Sequence, residues 1–264
     1  MTYARYRYTK SGERVDNITD WAVAQFVGRY AGKFATTGGG EPPLGGGGGP
    51  NKESRESGYA LPRVSFQGSS PSASPPPLSG GKDLGITKDA IFAYCYAVLH
   101  DPLYREKYAL NLKREFPRIP FYPDFDQWVK WGEALLTRHI GYEDVKPFTL
   151  TRVDTPAPKR ASDTHSKPKL KSSPELGQIQ IDEDTQLTGI PAAAWEYRLG
   201  NRSAIDWVLD QHKEKAPRDP TIRAKFNTYR FADYKESCIS LLTKVVRVSV
   251  ETVAIAEAMK RAER

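Results

Sequence analysis

A chain of 264 residues with 39 Lys and Arg against 32 Asp and Glu carries a net charge of +7 and a pI near 9.2. That length admits one or two domains with a real core, and the moderate basic excess permits nucleic-acid binding without requiring it. The two cysteines lie in apolar helical contexts and form no CxxC pair. No signal-peptide pattern opens the chain, and no apolar run of about 20 residues is present to span a membrane. The expectation is a soluble cytoplasmic protein with Cys95 and Cys238 as buried thiols.

In chain order, Tyr3 to Tyr8 alternate aromatic and basic residues and read as a short strand, followed by a turn at Lys10–Gly12. Asn17 is the expected cap of an amphipathic helix that places Ile18, Ala22 and Phe26 on one face beside Trp21. From 38 to 82 the composition shifts to Gly, Pro and Ser. Gly81-Lys82 is followed by Asp83, so no phosphate-binding loop is formed there. Thr87 is expected to cap an apolar, buried helix ending near Asp101-Pro102. Asp101 caps a second helix with Pro102 at its first position, running through Phe116. Tyr104, Tyr108 and Leu112 form its inner row; Lys107, Asn111 and Arg114 share another face. A third helix covers about Asp124 to His139, with Gly132 among its apolar residues.

Residues 148 to 178 begin with a strand-like FTLTRV and continue as a basic, low-complexity linker. QIQIDEDTQLTGI then alternates as strands do. The acidic cluster Asp182, Glu183 and Asp184 reads as a solvated turn. The central block is GIPAAAWEYRLGNRSAIDWVLDQH, Gly189 to His212. Asn201, Arg202 and Ser203 lie between two apolar segments, where a loop carries them outward. Ser203 is the expected N-cap of a helix bearing Ile205, Val208, Leu209 and His212 on one face. Backbone N–H groups at that helix start, with an arginine beside them, suit a phosphate or a base edge. The plainer alternative pairs Arg198 and Arg202 with Glu196 and Asp206. Residues 213 to 231 read as an irregular basic loop, and a long helix closes the chain from about Asp233 to Arg261. The fold class is α+β, mostly helical with a small β-sheet, interrupted by two long disordered insertions. The divisions fall at 1–37, 38–82, 83–147, 148–178 and 179–264.

Catalytic patterns are missing from these blocks. His100, His139, His165 and His212 form no HExxH pattern and have no cysteine at metal spacing. There is no GxSxG, no NPPY-type methyltransferase motif, no ATPase signature and no pair of carboxylates in an apolar setting.

Three blocks carry a resemblance: RYRYTKSGERVDNITDWAVAQF, then DAIFAYCYAVLHDPLYREKYALNLKREFPRIPF, then GIPAAAWEYRLGNRSAIDWVLDQ followed by VSVETVAIAEAM. In this order they resemble the C-terminal specificity domain of type ISP restriction–modification enzymes. In those single-chain proteins, nuclease, translocase, adenine methyltransferase and target-recognition parts follow one another. Two departures stand out, the 38–82 insertion and the segment after Asp210, where only Asp219-Pro220 keeps the family's expected loop pattern. The resemblance implies a module that reads a double-stranded DNA target for methyltransferase and helicase–nuclease domains, with no catalytic residue, metal or cofactor of its own. S-adenosylmethionine, ATP and Mg would belong to the upstream domains. Base reading requires Arg, Lys, Asn or Gln on a rigid element, and other basic groups must hold the backbone. Arg198, Asn201, Arg202 and Ser203 are candidates for the first task. Lys113, Arg114 and Arg118, with Arg218, Arg223 and Lys225, are candidates for the second. The rival reading is a protein-binding scaffold that uses the aromatic segments around Trp128, Trp131 and Trp195.

Overall fold

The computed structural model describes residues 5–34, 86–155, 166–214, 219–221, 225 and 229–264, with 31–34 as backbone. The chain divides into two compact units, Met1–Ala134 with Met259–Arg264, and Leu135–Ala258. The whole of the expected 38–82 insertion, and residues 156–165 of the expected basic linker, lie outside the described residues.

The first unit opens with an antiparallel hairpin, β1 (Tyr6–Tyr8) and β2 (Arg14–Asp16), in the register Tyr6↔Asp16. Gly12 adopts φ +83 in the turn, and both Arg5 and Arg14 lie over the Tyr6 ring. Helix α1 (Asp20–Phe34) buries Ile18, Ala22, Phe26 and Tyr30 and leaves Trp21 exposed. Its cap is Thr19 rather than Asn17: the Thr19 hydroxyl accepts from the Ala22 N–H at 3.3 Å. Helix α2 (Lys88–His100) starts where Thr87 accepts from the Ala90 N–H, and it buries Ile91, Ala93, Tyr94, Cys95, Ala97 and Val98.

Asp101 ends that helix and starts α3 (Pro102–Lys107) by accepting from the Leu103 and Tyr104 N–H groups. The single helix expected through Phe116 is broken at Tyr108, whose φ −108 and ψ 20 leave the helical region; α4 (Ala109–Arg114) follows. The Tyr108 ring packs on that of Tyr104, with centroids 5.0 Å apart.

Helix α5 (Phe125–Ile140) begins after Asp124, which accepts from the Gln127 N–H at 3.0 Å. Gly132 permits a close crossing with α2, because a Cβ there would stand 1.8 Å from the Ala93 carbonyl oxygen. An aromatic core forms around Phe26, Tyr94, Phe121 and Phe125, largely edge-to-face. Its hydroxyls hold the extended Pro117–Pro123 segment. Tyr30 donates to the Tyr122 carbonyl at 2.7 Å and Tyr94 to the Pro120 carbonyl at 2.8 Å. Polar tips satisfied in this way let tyrosines serve as core residues.

The second unit is built on a four-stranded antiparallel sheet in the order β3-β6-β5-β4. The strands are β3 (Thr151–Asp154), β4 (Pro168–Ser173), β5 (Gln178–Asp182) and β6 (Thr185–Thr188). The strand-like FTLTRV supplies β3 at one edge, while the stretch expected as a basic linker supplies β4 at the other. Composition misled there because an edge strand with one wet face needs few apolar residues. Leu170 alone anchors β4, at φ 42 beside a bulge.

Asp182 corrects the solvated-turn reading. It is 2% exposed, accepts from the Asp184 and Thr185 N–H groups at the β5–β6 turn, and pairs with Lys235 at 2.7 Å. Gly177, at φ +60, ends the short helical turn between β4 and β5, and a Cβ there would meet the Ile190 carbonyl oxygen at 2.7 Å. After the sheet come α6 (Ala193–Glu196), a small hairpin of β7 (Arg198–Leu199) and β8 (Arg202–Ser203), and α7 (Ala204–Gln211). The long helix α8 (Phe231–Lys260) packs Phe231, Cys238, Ile239, Leu242, Val245 and Val246 into the core with Ile179, Ile181, Leu187 and Ile205. Helix burial outweighs the weak helix preference of its β-branched residues.

Of the tryptophans in the scaffold reading, Trp128 is fully buried and Trp195 only 9% exposed, so both belong to the core, while Trp131 is half-buried. No helix among the described residues is long and apolar enough to cross a membrane.

Candidate nucleic-acid interface

The segment WEYRLGNRS does not form a plain loop. Arg198 pairs with Ser203 and Leu199 with Arg202, leaving Gly200-Asn201 as a two-residue turn. Gly200 has φ +70, the conformation that the first central position of a type II′ hairpin turn demands and that glycine adopts without strain.

The base of this hairpin is fixed on both sides. Ala194, Trp195, Ser203 and Ala204 are buried. The Ala204 N–H donates to the Tyr197 carbonyl at 3.0 Å, and the Tyr197 ring stacks on His139 with centroids 5.3 Å apart. Ser203 caps α7 as expected: its hydroxyl accepts from the Asp206 N–H at 3.0 Å and donates to the Asp206 carboxylate at 2.7 Å. Asp206 also accepts from Ser172 of β4 at 2.6 Å, which ties the start of α7 to the sheet. Ser203 is therefore only 4% exposed with its hydroxyl engaged inward, a support for the hairpin rather than a displayed side chain.

Arg198, Leu199, Gly200, Asn201 and Arg202 are all exposed. The Arg198 guanidinium folds over the turn and donates to the Asn201 carbonyl. Arg202 takes a partner other than the expected Asp206: its Nη1 lies 2.9 Å from the Asp210 carboxylate, which Lys213 also approaches at 3.3 Å. Hydrogen bonds from Arg202 and Lys213 hold the Asp210 carboxyl below its ordinary range. Sequence spacing alone favoured Asp206. The structure selects Asp210 because Ser203 and Ser172 occupy the Asp206 carboxylate.

Of the second candidate group, Lys113, Arg114 and Arg118 lie in the first unit and Lys225 in the second. Lys113 and Arg114 are exposed in the last turn of α4, where cations suit the helix dipole. Arg118 is exposed and sits 3.6 Å from Glu115, while its backbone carbonyl accepts from the Tyr104 hydroxyl at 2.8 Å. Lys225 is exposed; Arg218 and Arg223 lie outside the described residues. Lys167, Lys169 and Lys171, assigned to a linker by composition, are exposed on or beside the edge strand β4. Their apolar neighbour Leu170 is the only local sign that this segment pairs with a sheet.

The histidines are structural where described. His100 and His212 sit at helix ends with Nδ1 against the Tyr96 and Val208 carbonyls, and His139 bonds Thr252 at 2.9 Å. His165 lies outside the described residues. Among the described residues no group of three or more His, Cys, Asp or Glu side chains is arranged to hold a metal ion.

A family model described as the type ISP C-terminal specificity domain matches residues 1–241. A comparison with curated proteins finds no match. Among solved structures, the chain is similar to the DrdV chain of a cryo-EM DrdV–DNA complex, at 43% identity and TM-score 0.74 over 98% of this chain. It is also similar to a nuclease-deletion mutant of the type ISP restriction–modification enzyme LlaGI, in complex with a DNA substrate mimic. That match has 29% identity and TM-score 0.52 over 66% of this chain. The ATP-dependent type ISP enzyme LlaBIII bound to DNA, at 23% identity and TM-score 0.53 over 67% of this chain, shares the fold. This chain spans 21%, 14% and 11% of those three chains respectively. The family model covers most of the sequence, and the chain belongs to the type ISP C-terminal specificity domain family.

Proposed function

We propose that this chain reads a double-stranded DNA target for the methyltransferase and translocase–nuclease domains of a type ISP restriction–modification enzyme. The observation that carries the reading is the β7–β8 hairpin, whose base is buried and capped while Arg198, Asn201 and Arg202 stand exposed at its tip. A two-stranded ribbon fits the major groove, and Arg and Asn are the side chains that pair bidentately with guanine and adenine edges. The DNA-bound relatives support the same role. Lys113, Arg114, Arg118 and Lys225 supply phosphate contacts, and Arg218 and Arg223 are assigned to the same task. Catalysis resides in the other domains of such an enzyme, and S-adenosylmethionine, ATP and Mg act there rather than on this chain.

The test is selection of the purified chain against a pool of random duplexes at low and moderate salt, with sequencing of the bound fraction. A short enriched motif is expected. Arg202→Ala should then weaken binding to that motif by about 1–3 kcal/mol. Absence of salt-sensitive binding would sink the reading and leave a protein-binding role in its place.

A further inference from the structure

Arg202 is unusual among the exposed cations of the hairpin in having a carboxylate partner. Its backbone is held by pairing with Leu199 and by the Ser203 cap immediately after it. Its guanidinium is held by Asp210, one residue before the end of α7, at 2.9 Å. Stability does not explain this arrangement. The Arg202 and Asp210 side chains are 51% and 29% exposed, a setting in which an ion pair contributes little. A carboxylate in the last turn of a helix also opposes the helix dipole. What the contact does accomplish is geometric and electrostatic. It ties one guanidinium nitrogen to a carboxylate on α7, and it offsets part of the positive charge that Arg202 and Lys213 bring to this end of the helix.

Those two effects favour different ligands. A phosphate is attracted by net charge and tolerates many orientations, so an arginine tethered to a carboxylate is a weaker phosphate ligand than a free one. The O6 and N7 of guanine are neutral acceptors in a fixed plane. They gain from donors already oriented and lose little from a neighbouring carboxylate. Arg198 forms the contrast, since its recorded hydrogen bond goes to the neutral Asn201 carbonyl and its charge is not offset there.

We propose that Asp210 is a positioning residue that commits Arg202 to a guanine edge in the DNA target and turns it away from phosphate. This inference rests on the DNA-reading role set out above and adds a division of labour within the hairpin. Lys213, 3.3 Å from the same carboxylate, holds Asp210 from the other side.

The experiment compares the full chain with Asp210→Asn, Asp210→Ala and Arg202→Ala on the enriched duplex and on a random duplex of equal length, across a salt series. Thermal unfolding of each variant confirms that it folds. For Asp210→Asn, binding to random duplex should tighten several-fold, and its salt slope should steepen by about 1 as Arg202 becomes free to take a phosphate. Discrimination between the two duplexes should fall about tenfold for this variant and for Arg202→Ala. In the Arg202→Ala background, Asp210→Asn should have no further effect on discrimination. A merely structural role for Asp210 would move both affinities together and leave their ratio alone. An unchanged ratio in Asp210→Asn, with a motif enriched by the unmodified chain, overturns this inference alone. A chain that enriches no motif overturns the DNA-reading role and this inference together.

Discussion

Asp101 shows how much one carboxylate organises. It is fully buried, caps α3 through two backbone N–H groups, accepts from the Tyr122 hydroxyl at 3.3 Å and pairs with Arg264 at 2.7 Å. Asp101→Ala removes the cap and leaves Arg264 and Tyr122 without that acceptor, so a loss of about 3 kcal/mol is expected in denaturant unfolding. The two thiols behave oppositely to reactive cysteines. Burial pushes both Cys95 and Cys238 up to about 12. Neither should react with a thiol reagent at pH 8 until the chain unfolds, and labelling at native rates would contradict the structure. The sign of the linkage follows. Below the ordinary thiol value of 9.0 both states keep the proton and pH has no effect through these groups. Above it the unfolded chain releases protons that the native chain retains, so stability falls as pH rises towards 12.

At the scale of elements, the close crossing of α2 and α5 depends on a single missing side chain. A methyl group at Gly132 would overlap the Ala93 backbone, which has no flexible end to move aside. Gly132→Ala is expected to cost about 3 kcal/mol or more by forcing the helices apart, despite alanine's better helix propensity, as thermal or denaturant unfolding would report. The start of α7 is a gentler case. Ser203→Ala should lose about 1 kcal/mol through the cap. It should also loosen the hairpin that Ser203 terminates, so discrimination on DNA should fall more than affinity for random duplex.

At the scale of the whole molecule, a net charge of +7 acts through the summed field rather than through any one contact. Affinity for random duplex should decline linearly on a logarithmic salt scale, with a slope of about 0.9 per phosphate neutralised. Substituting Lys113 and Arg114 together by Ala should reduce that slope by about 2 while leaving the enriched motif unchanged, if each contacts one phosphate. Lys113 and Arg114 lie in the first unit and the hairpin in the second, so these substitutions and those at Arg202 probe separately packed parts of the chain.

Local signals by themselves determined much of this protein. Thr87, Asp101 with Pro102, and Ser203 mark helix starts because caps are short-range hydrogen bonds between near neighbours in sequence. The apolar faces of α1, α2, α7 and α8 were legible for the same reason, since helical periodicity records which side meets a core. The three sequence blocks were long enough to identify the family. Only tertiary structure decided the rest. Strand β4 is invisible to composition because an edge strand with one apolar anchor is defined by the partner strand it meets. The Asp182–Lys235 pair joins residues remote in sequence, so nothing near the acidic cluster announced its burial. Arg202 chose Asp210 over the nearer Asp206 because two serine hydroxyls from β8 and β4 had already engaged Asp206. A side chain's partner is settled by competition among all donors and acceptors that the fold assembles around it, and that competition is not written in spacing.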